Sequence, residues 1–382
     1  RASETLYKAG DRSFADDYRR MSSDPDTDVA IQAMLTLQLL KVADAQAIVK
    51  ELMEKNKARG VQFVGDRILA TAAAAERNAI RGGALTSDQL SSIQRGGAVY
   101  AELCFACHGA DGRGTPTPGG GPGSTLAPSL AGSPRVNAHR DYAIKAVMHG
   151  LTGPIDGRTY PQVMVPMGSN TDQWIADVAS YVRNSFGNSG PLASTADIAR
   201  VRATTGTRGP WTIPELEASL PHALATDSSW KVTASHDGRP APQANAEGGY
   251  NYLSTAAGAL TFLGWTTGVP QQPGMWLQIE LPAFVTLMEI QFTSSRTGGQ
   301  SAGATWTFPR HYEVRVSNDG STWSEPVVEG EGTPGTTVVA FAPVRTKFVR
   351  ITQTGTVDAN APPWTMRMLR LYEAPANASA VK

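Results

Sequence analysis

The chain has 382 residues and two cysteines, and both lie in one segment, Cys-Phe-Ala-Cys-His, running from Cys104 to His108. Two thiols three positions apart cannot tie distant segments together, so no disulfide framework is available to hold a fold. Each domain must therefore rest on its own hydrophobic core, or on something that the two thiols and the imidazole bind. A zinc half-site would need two more Cys or His ligands at close spacing. His139 and His149 are available, but their spacing matches no structural-zinc pattern. A thioredoxin-type redox pair belongs between a strand and a helix of a βαβ unit, and no such context surrounds the segment.

The pattern that fits is covalent haem, because two thiols can add across the two porphyrin vinyl groups while the next imidazole ligates the iron. The residues before the segment support a helix, since Leu90, Ile93, Gly97, Tyr100 and Cys104 fall on one face at three-and-four spacing. A glycine inside a helix costs about 1 kcal/mol, so Gly97 is expected to mark where a second helix crosses closely. "NTDQWIADVASYVRNSFGN" supplies that helix, with an Asn170-to-Gln173 capping box, a face of Trp174, Val178, Tyr181 and Val182, and a stop at Gly187.

At this length two or three domains are expected, and composition divides the chain into zones. Residues 1–85 read as helical, with Ile31, Leu35 and Leu39 at four-residue steps, then Ile48, Leu52 and Met53, and Gly60 as a helix stop. The paired short helices resemble HEAT-type repeats, and a plain helical appendage is the alternative. Too few repeats are present to bury their own cores, so the zone is expected to pack on a neighbour. Residues 86–190 form the second zone, 191–225 a linker, 226–375 a β-sandwich and 376–382 a tail. In the β zone "LQIEL", "MEIQF" and "YEVRV" alternate apolar with polar, and "SNDGSTW" supplies a hairpin turn. The fold class expected is thus multidomain, all-α followed by an all-β jelly-roll.

Lys plus Arg and Asp plus Glu each number 34, which argues against electrostatic steering toward nucleic acid or an anionic membrane. No apolar run reaches the ~20 residues that span a bilayer. Arg1 opens in what reads as a helical region, without an initiator Met or a signal sequence, so the chain is expected to be a mature or trimmed part of something longer. The glycines of "GADGRG" and "GGGPG" lack the Lys-Ser/Thr of a phosphate cradle and read as tight turns.

"GGAVYAELCFACHGADGRG", "LAPSLAGS" and "YPQVMVPMGSNTDQWIADVASYVRNSFGN" resemble the ordered segments of a class I cytochrome c. That resemblance implies thioethers from Cys104 and Cys107, His108 as proximal ligand, and Pro128 as the residue whose carbonyl receives the His108 ring N–H. It also implies a sixth ligand on the loop before the last helix. Met164, eight residues before Asp172, fits best; Met167 is the alternative, with Met148 and His149 further candidates. Tyr100 and Gly97 belong to the same haem-side group, while His139 is expected at the surface or beside a propionate.

"SSWKVTAS", "GWTTG", "QQPGMWLQIEL", "FPRHYEVRVSNDGSTW", "KFVRITQTG" and "WTMRMLRLYE" resemble the discoidin, or coagulation-factor C-type, modules. The comparison implies mostly core roles for Trp230, Trp265, Trp276, Trp323 and Trp364. It implies a glycan-, lipid- or protein-binding loop end, where Tyr250, Tyr252 and Trp306 could stack on a sugar. Many relatives hold Ca²⁺ near an Ala-x-Asp-Gly turn; "NAEGG" stands in the comparable place, so calcium stays open.

Domain order resembles the C-terminal half of large secreted haem proteins of planctomycete-type bacteria, which implies a periplasmic or secreted site and a sugar or alcohol dehydrogenase as electron donor. The function expected is electron transfer through one His/Met-ligated c-type haem, with no catalytic site of its own and a β module that binds a glycan or partner. The alternatives are a haem enzyme or ligand sensor with an open iron site, and an adhesion protein with an accessory haem.

Overall fold

Near the start of the chain, the Asp26 carboxylate accepts the Asp28 N–H at 2.8 Å and so opens a helix in the Ala- and Leu-rich zone. The computed structural model describes residues 13–40, 44–66, 85–226, 229–237, 256–297 and 305–376, together with 11, 42, 68 and 69. Helices α1 (Ala15–Met21), α2 (Thr27–Leu39) and α3 (Ala45–Lys55) come first, followed by a helical stretch at 59–66. In the buried row of α2, Ala30 and Met34 meet Val49, Leu52 and Val61, while Leu37 meets Tyr18, Val42 and Ala45. Leu35 and Leu39, which share a periodic row with Ile31, are exposed instead, because the helix meets its neighbours through the row of Ala30, Ala33, Met34 and Leu37. Gly60 does not stop α3, which ends at Lys55. It sits at the start of the next helical stretch, where a Cβ would come 2.9 Å from Ile31 Cδ1.

The middle zone packs several short helices: α4 (Ser87–Val99), a π-helical turn Tyr100–Cys104, α5 (Phe105–His108), α6 (Pro134–Asn137), α7 (Arg140–His149) and α8 (Asp172–Asn184). The cap of α8 is Thr171, whose hydroxyl accepts the Trp174 N–H, and Gln173 bonds Asp177 instead of closing a box with Asn170. That helix ends at Asn184, before Phe186 and Gly187 take positive φ. The stretch read as a linker folds into α9 (Thr195–Thr205) and α10 (Ile213–Ala218). Ile198 and Val201 of α9 join Ile144, Met148, Ile175 and Ala179 in one core, so the stretch is packed as firmly as the helices it follows.

The β domain is antiparallel, with strand order β1-β8-β4-β7-β5-β6, β2 paired to β4 and β3 paired to β8. The strands are β1 (His222–Ala223), β2 (Lys231–Ala234), β3 (Trp265–Pro270), β4 (Trp276–Thr293), β5 (Tyr312–Ser317), β6 (Val328–Gly330), β7 (Thr336–Gln353) and β8 (Pro363–Glu373). The first half of β4 pairs with β2 and its second half with β8, and its register breaks between Glu280 and Val285. Such irregularities let one long strand turn a corner of the sandwich. Trp265 and Trp364 meet edge to face at 5.0 Å in the core, with Leu277, Ile279, Phe292 and Val349 around them.

The alternation in "MEIQF" would leave Glu289 and Gln291 facing water, yet both are buried. The helical zone covers them. Arg140 of α7 lies 2.7 Å from the Glu289 carboxylate and 2.5 Å from Asp197, while His139 Nε2 lies 3.1 Å from Glu289. The Asp141 N–H donates to His139 Nδ1, so the ring proton sits on Nε2 and faces Glu289. His139 also packs edge-on against Tyr372 at 5.2 Å. It is therefore a buried joint between the domains, not the surface or propionate-side residue expected from sequence.

Burial opposes ionisation of Asp141, but the hydrogen bonds from Arg200 together with the charges of His139, Arg200 and Arg140 outweigh it and hold the group at about 2. Glu289 is likewise lowered, its burial outweighed by Arg140 and His139. Breaking a buried pair by removing one partner costs about 3–5 kcal/mol, so Glu289→Ala should lose on that order in urea unfolding. Depressed carboxylates add stability that is complete above their unfolded value of ~4. That stability should fall as pH drops from there toward about 2, and Arg200→Ala should flatten the fall.

Candidate haem centre

Thr86 starts α4 with a reciprocal capping box to Gln89. Ten residues on, α4 crosses α8 at a point where no side chain fits: a Cβ on Gly96 would lie 2.0 Å from the Asp177 carbonyl oxygen. Gly97, which the spacing singled out, lies beneath the Tyr181 ring, where a Cβ would come 3.1 Å from Cε2 and the ring would have to give by a few tenths of an ångström. Ser92 and Arg95 both donate to the Asp177 carboxylate, each at 2.6 Å, and tie the crossing from the side.

Past the crossing the helix widens into the π-helical turn, a feature frequent at functional sites. Tyr100 opens it, 2% exposed, and donates its hydroxyl to the Gly109 carbonyl at 2.7 Å. Its ring packs against Tyr181 at 5.3 Å and Phe186 at 5.0 Å, so α8 grips the turn that bears Cys104. Helix α5 then carries Cys107 and His108 and ends at Gly109, whose φ of 74° suits glycine. The next residues fold back, Gly114 N–H donating to His108 O and Thr115 N–H to Cys107 O. This return brings the Pro128 carbonyl 3.3 Å from His108 Nδ1.

Both thiols are free and half-buried. Burial pushes Cys104 up to about 11. Burial also lowers His108, with the Pro128 bond acting against it. The imidazole is thus neutral, donates through Nδ1 and leaves the Nε2 lone pair for a metal. Leu103 and Phe105, beside Cys104, are 50% and 47% exposed, an apolar surface of the kind a porphyrin covers. Two thiols and a neutral imidazole form a donor set suited to c-type haem.

Of the sulfur candidates, Met164 and Met167 are half-buried on the loop between α7 and α8. Met164 N–H donates to Leu151 O at 3.0 Å, and Met167 N–H to Val147 O at 2.9 Å. Met148 instead fills the α7–α8–α9 core, and His149 Nε2 is engaged by the Thr205 hydroxyl at 2.8 Å. Among the described residues no three His, Cys, Asp or Glu side chains gather to hold a metal ion, so His139 and His149 do not join the thiols.

In the β domain Trp230, Trp265 and Trp364 are core residues, but Trp276 and Trp323 are half-buried and flank the Arg350 guanidinium at 4.9 and 4.1 Å. Trp306 is half-buried beside Arg296. Tyr250, Tyr252 and the "NAEGG" turn considered for calcium lie outside the described residues.

Sequence reasoning missed Gly96, although the Gly-Gly pair pointed to it within one residue. It also missed Arg183, which donates to the Val136 and Ala138 carbonyls, and Asn188, which donates to those of Leu130 and Val182. Their targets are backbone carbonyls, most of them on segments far away in the chain, which leave no local signal.

The family model described as Cytochrome c matches residues 93–186, and that described as F5/8 type C domain matches 226–369. The chain therefore contains a cytochrome c domain followed by a discoidin-type domain. It is 30% identical over 124 residues to the cytochrome c subunit of alcohol dehydrogenase (quinone) from Gluconacetobacter polyoxogenes, which covers 31% of this chain and 25% of that protein. It is 27% identical over 177 residues to the fructose dehydrogenase cytochrome subunit of Gluconobacter japonicus, covering 44% and 34%. The gluconate 2-dehydrogenase cytochrome c subunit of Pantoea cypripedii is 34% identical over 112 residues, covering 28% and 24%. The matches thus span about a quarter to a third of these relatives' lengths. A solved family 32 CBM from C. perfringens NanJ, in complex with galactose, aligns with 21% identity and a TM-score of 0.28, covering 40% of this chain and 100% of that one. No helix among the described residues is long and apolar enough to cross a membrane.

The crossing can be tested by unfolding. Overpacking costs about 1–3 kcal/mol, so Gly96→Ala should lower the thermal midpoint clearly. Gly97→Ala should be near neutral, because the Tyr181 ring can shift and alanine favours the helix by about 1 kcal/mol.

Proposed function

We propose that this chain passes electrons outside the cytoplasm through one covalent c-type haem, with Cys104 and Cys107 as thioether donors and His108 and Met164 as axial ligands. The single observation that carries the reading is the 3.3 Å approach of His108 Nδ1 to the Pro128 carbonyl, next to two free thiols. Bound there, the haem supplies a reversible one-electron couple. The protein's part is to hold it. Pro128 keeps the His108 proton on Nδ1 and orients the ring, Tyr100 pins the turn bearing Cys104 to Gly109, and the 164–167 loop offers a thioether. A thioether ligand closes the sixth position and favours electron transfer over ligand chemistry.

The similarity to cytochrome subunits of alcohol, fructose and gluconate dehydrogenases supports a sugar or alcohol dehydrogenase as donor, and an extracytoplasmic location. The discoidin-type domain supports binding of a glycan or partner through loops at one end of the sandwich. No side chain is assigned a catalytic role.

An absorption spectrum tests the centre. The full chain with haem should show a ferric sulfur-to-iron charge-transfer band and bind little CO when ferrous at neutral pH. Met164→Leu should remove the band and admit CO, and Met167→Leu should leave both unchanged. A parent protein without the band that binds CO readily would overturn electron transfer in favour of an open-site haem enzyme or sensor.

The full chain on a glycan array should bind at least one sugar class. Failure on every glycan would overturn glycan anchoring.

A further inference from the structure

Helix α9 and Trp211, which precedes α10, lie beyond the 93–186 cytochrome match, yet α9 reaches the loop that carries Met164 and Trp211 reaches the residues that loop rests on. Arg202 of α9 donates to the Gly168 carbonyl at 2.6 Å and the Asn170 carbonyl at 3.1 Å, and pairs with Asp172 at 2.9 Å. Those acceptors are the end of the methionine loop and the first residue of α8. At the other side, Trp211 forms a parallel bridge with Leu151: its N–H donates to Gly150 O at 3.0 Å, and its carbonyl accepts the Thr152 N–H at 2.8 Å. Leu151 in turn accepts the Met164 N–H, and a Cβ on Gly150 would strike the Met164 carbonyl at 2.1 Å. The Met164 backbone is therefore pressed against residues 150–151, and Trp211 holds those residues from the other side.

The Trp211 ring adds packing to this bridge. It is 5% exposed, shares a core with Tyr142, Leu151, Ile155 and Leu216, and has Tyr160 and Met164 packed against that core. Among the described residues its ring N–H is buried without a hydrogen-bond partner, so the indole acts through the packing and the face of its ring. Arg208 stacks on its outer side, 3.1 Å from the ring centroid. Helix α10 is itself held, since Lys145 donates to the carbonyl and hydroxyl of Ser219 at its end.

We infer that Arg202 and Trp211 are positioning residues for the methionine ligand, forming a clamp that keeps the 164–167 loop from swinging off the iron. The inference rests on the axial role proposed for Met164. A loop of this kind has few contacts of its own, and a ligand bond at its tip lasts only if both ends are held. The clamp comes from the segment joining the two domains, so this segment serves the redox centre as well as the connection.

The test uses the full chain with haem. Arg202→Ala and Trp211→Ala should each lower the pH at which the sulfur-to-iron band is half lost, by about one unit or more, a tenfold change in ligand exchange. Both should raise the fraction of ferrous protein that binds CO. Trp211→Phe should shift the band less than Trp211→Ala does, because the smaller ring keeps part of the packing in that core. Arg200→Ala serves as the control, since Arg200 sits on the same helix but bonds Asp141, away from the loop. Should Arg200→Ala move the band as far as Arg202→Ala does, the effect is general loss of stability and the clamp fails. Should Met164→Leu abolish the band while the Arg202 and Trp211 variants hold it at the parent pH, the clamp alone is overturned. A band that survives Met164→Leu overturns the axial role and the clamp with it.

Discussion

Helices α4 and α8 meet backbone to backbone at Gly96, and the layout of the haem-side residues depends on that contact. A Cβ at this point would overlap the Asp177 carbonyl, so only glycine permits the approach. The close approach brings Tyr181 and Phe186 onto Tyr100, whose hydroxyl then fixes Gly109, and the loop beyond Gly109 returns Pro128 to His108. Each step is a short-range interaction, but they act in series. A shift of the crossing would be passed to the imidazole.

A second constraint joins the domains. Charged groups taken out of water must be paired, and Arg140 answers Glu289 from the β sheet and Asp197 from α9 at once. This arrangement explains why a strand with an alternating pattern is buried on both faces between Leu287 and Phe292. It also gives the cytochrome and discoidin-type domains a defined relative orientation, which flexible tethering would not.

Much of the architecture was legible from local pattern. The Cys-Phe-Ala-Cys-His segment, the three-and-four spacing before it and the period-two strands after residue 226 correspond to a cytochrome c domain and a discoidin-type domain. Local pattern was weaker at ends and partners. The α8 cap fell on Thr171 and not Asn170, because adjacent small polar residues compete for the same backbone N–H groups. Leu35 and Leu39 kept the right period on the wrong side of α2, since period alone does not say which neighbour a helix meets. Trp276 and Trp323 resembled core tryptophans, yet the Arg350 side chain between them keeps both half-buried.

By itself the sequence brought together the two thiols and the imidazole on which the proposed haem attachment rests, because five consecutive residues carry all three without a distant partner. It also determined the class of each domain, since periods of 3.6 and 2 are local properties of a chain. Only the tertiary structure decided that the stretch after residue 190 forms two helices and that Arg202 and Trp211 within it brace the methionine loop, that His139 is a joint between domains, and that Gly96 is the crossing. These depend on contacts between segments far apart in the chain, and such contacts follow from mutual shape and paired charge that no local pattern records.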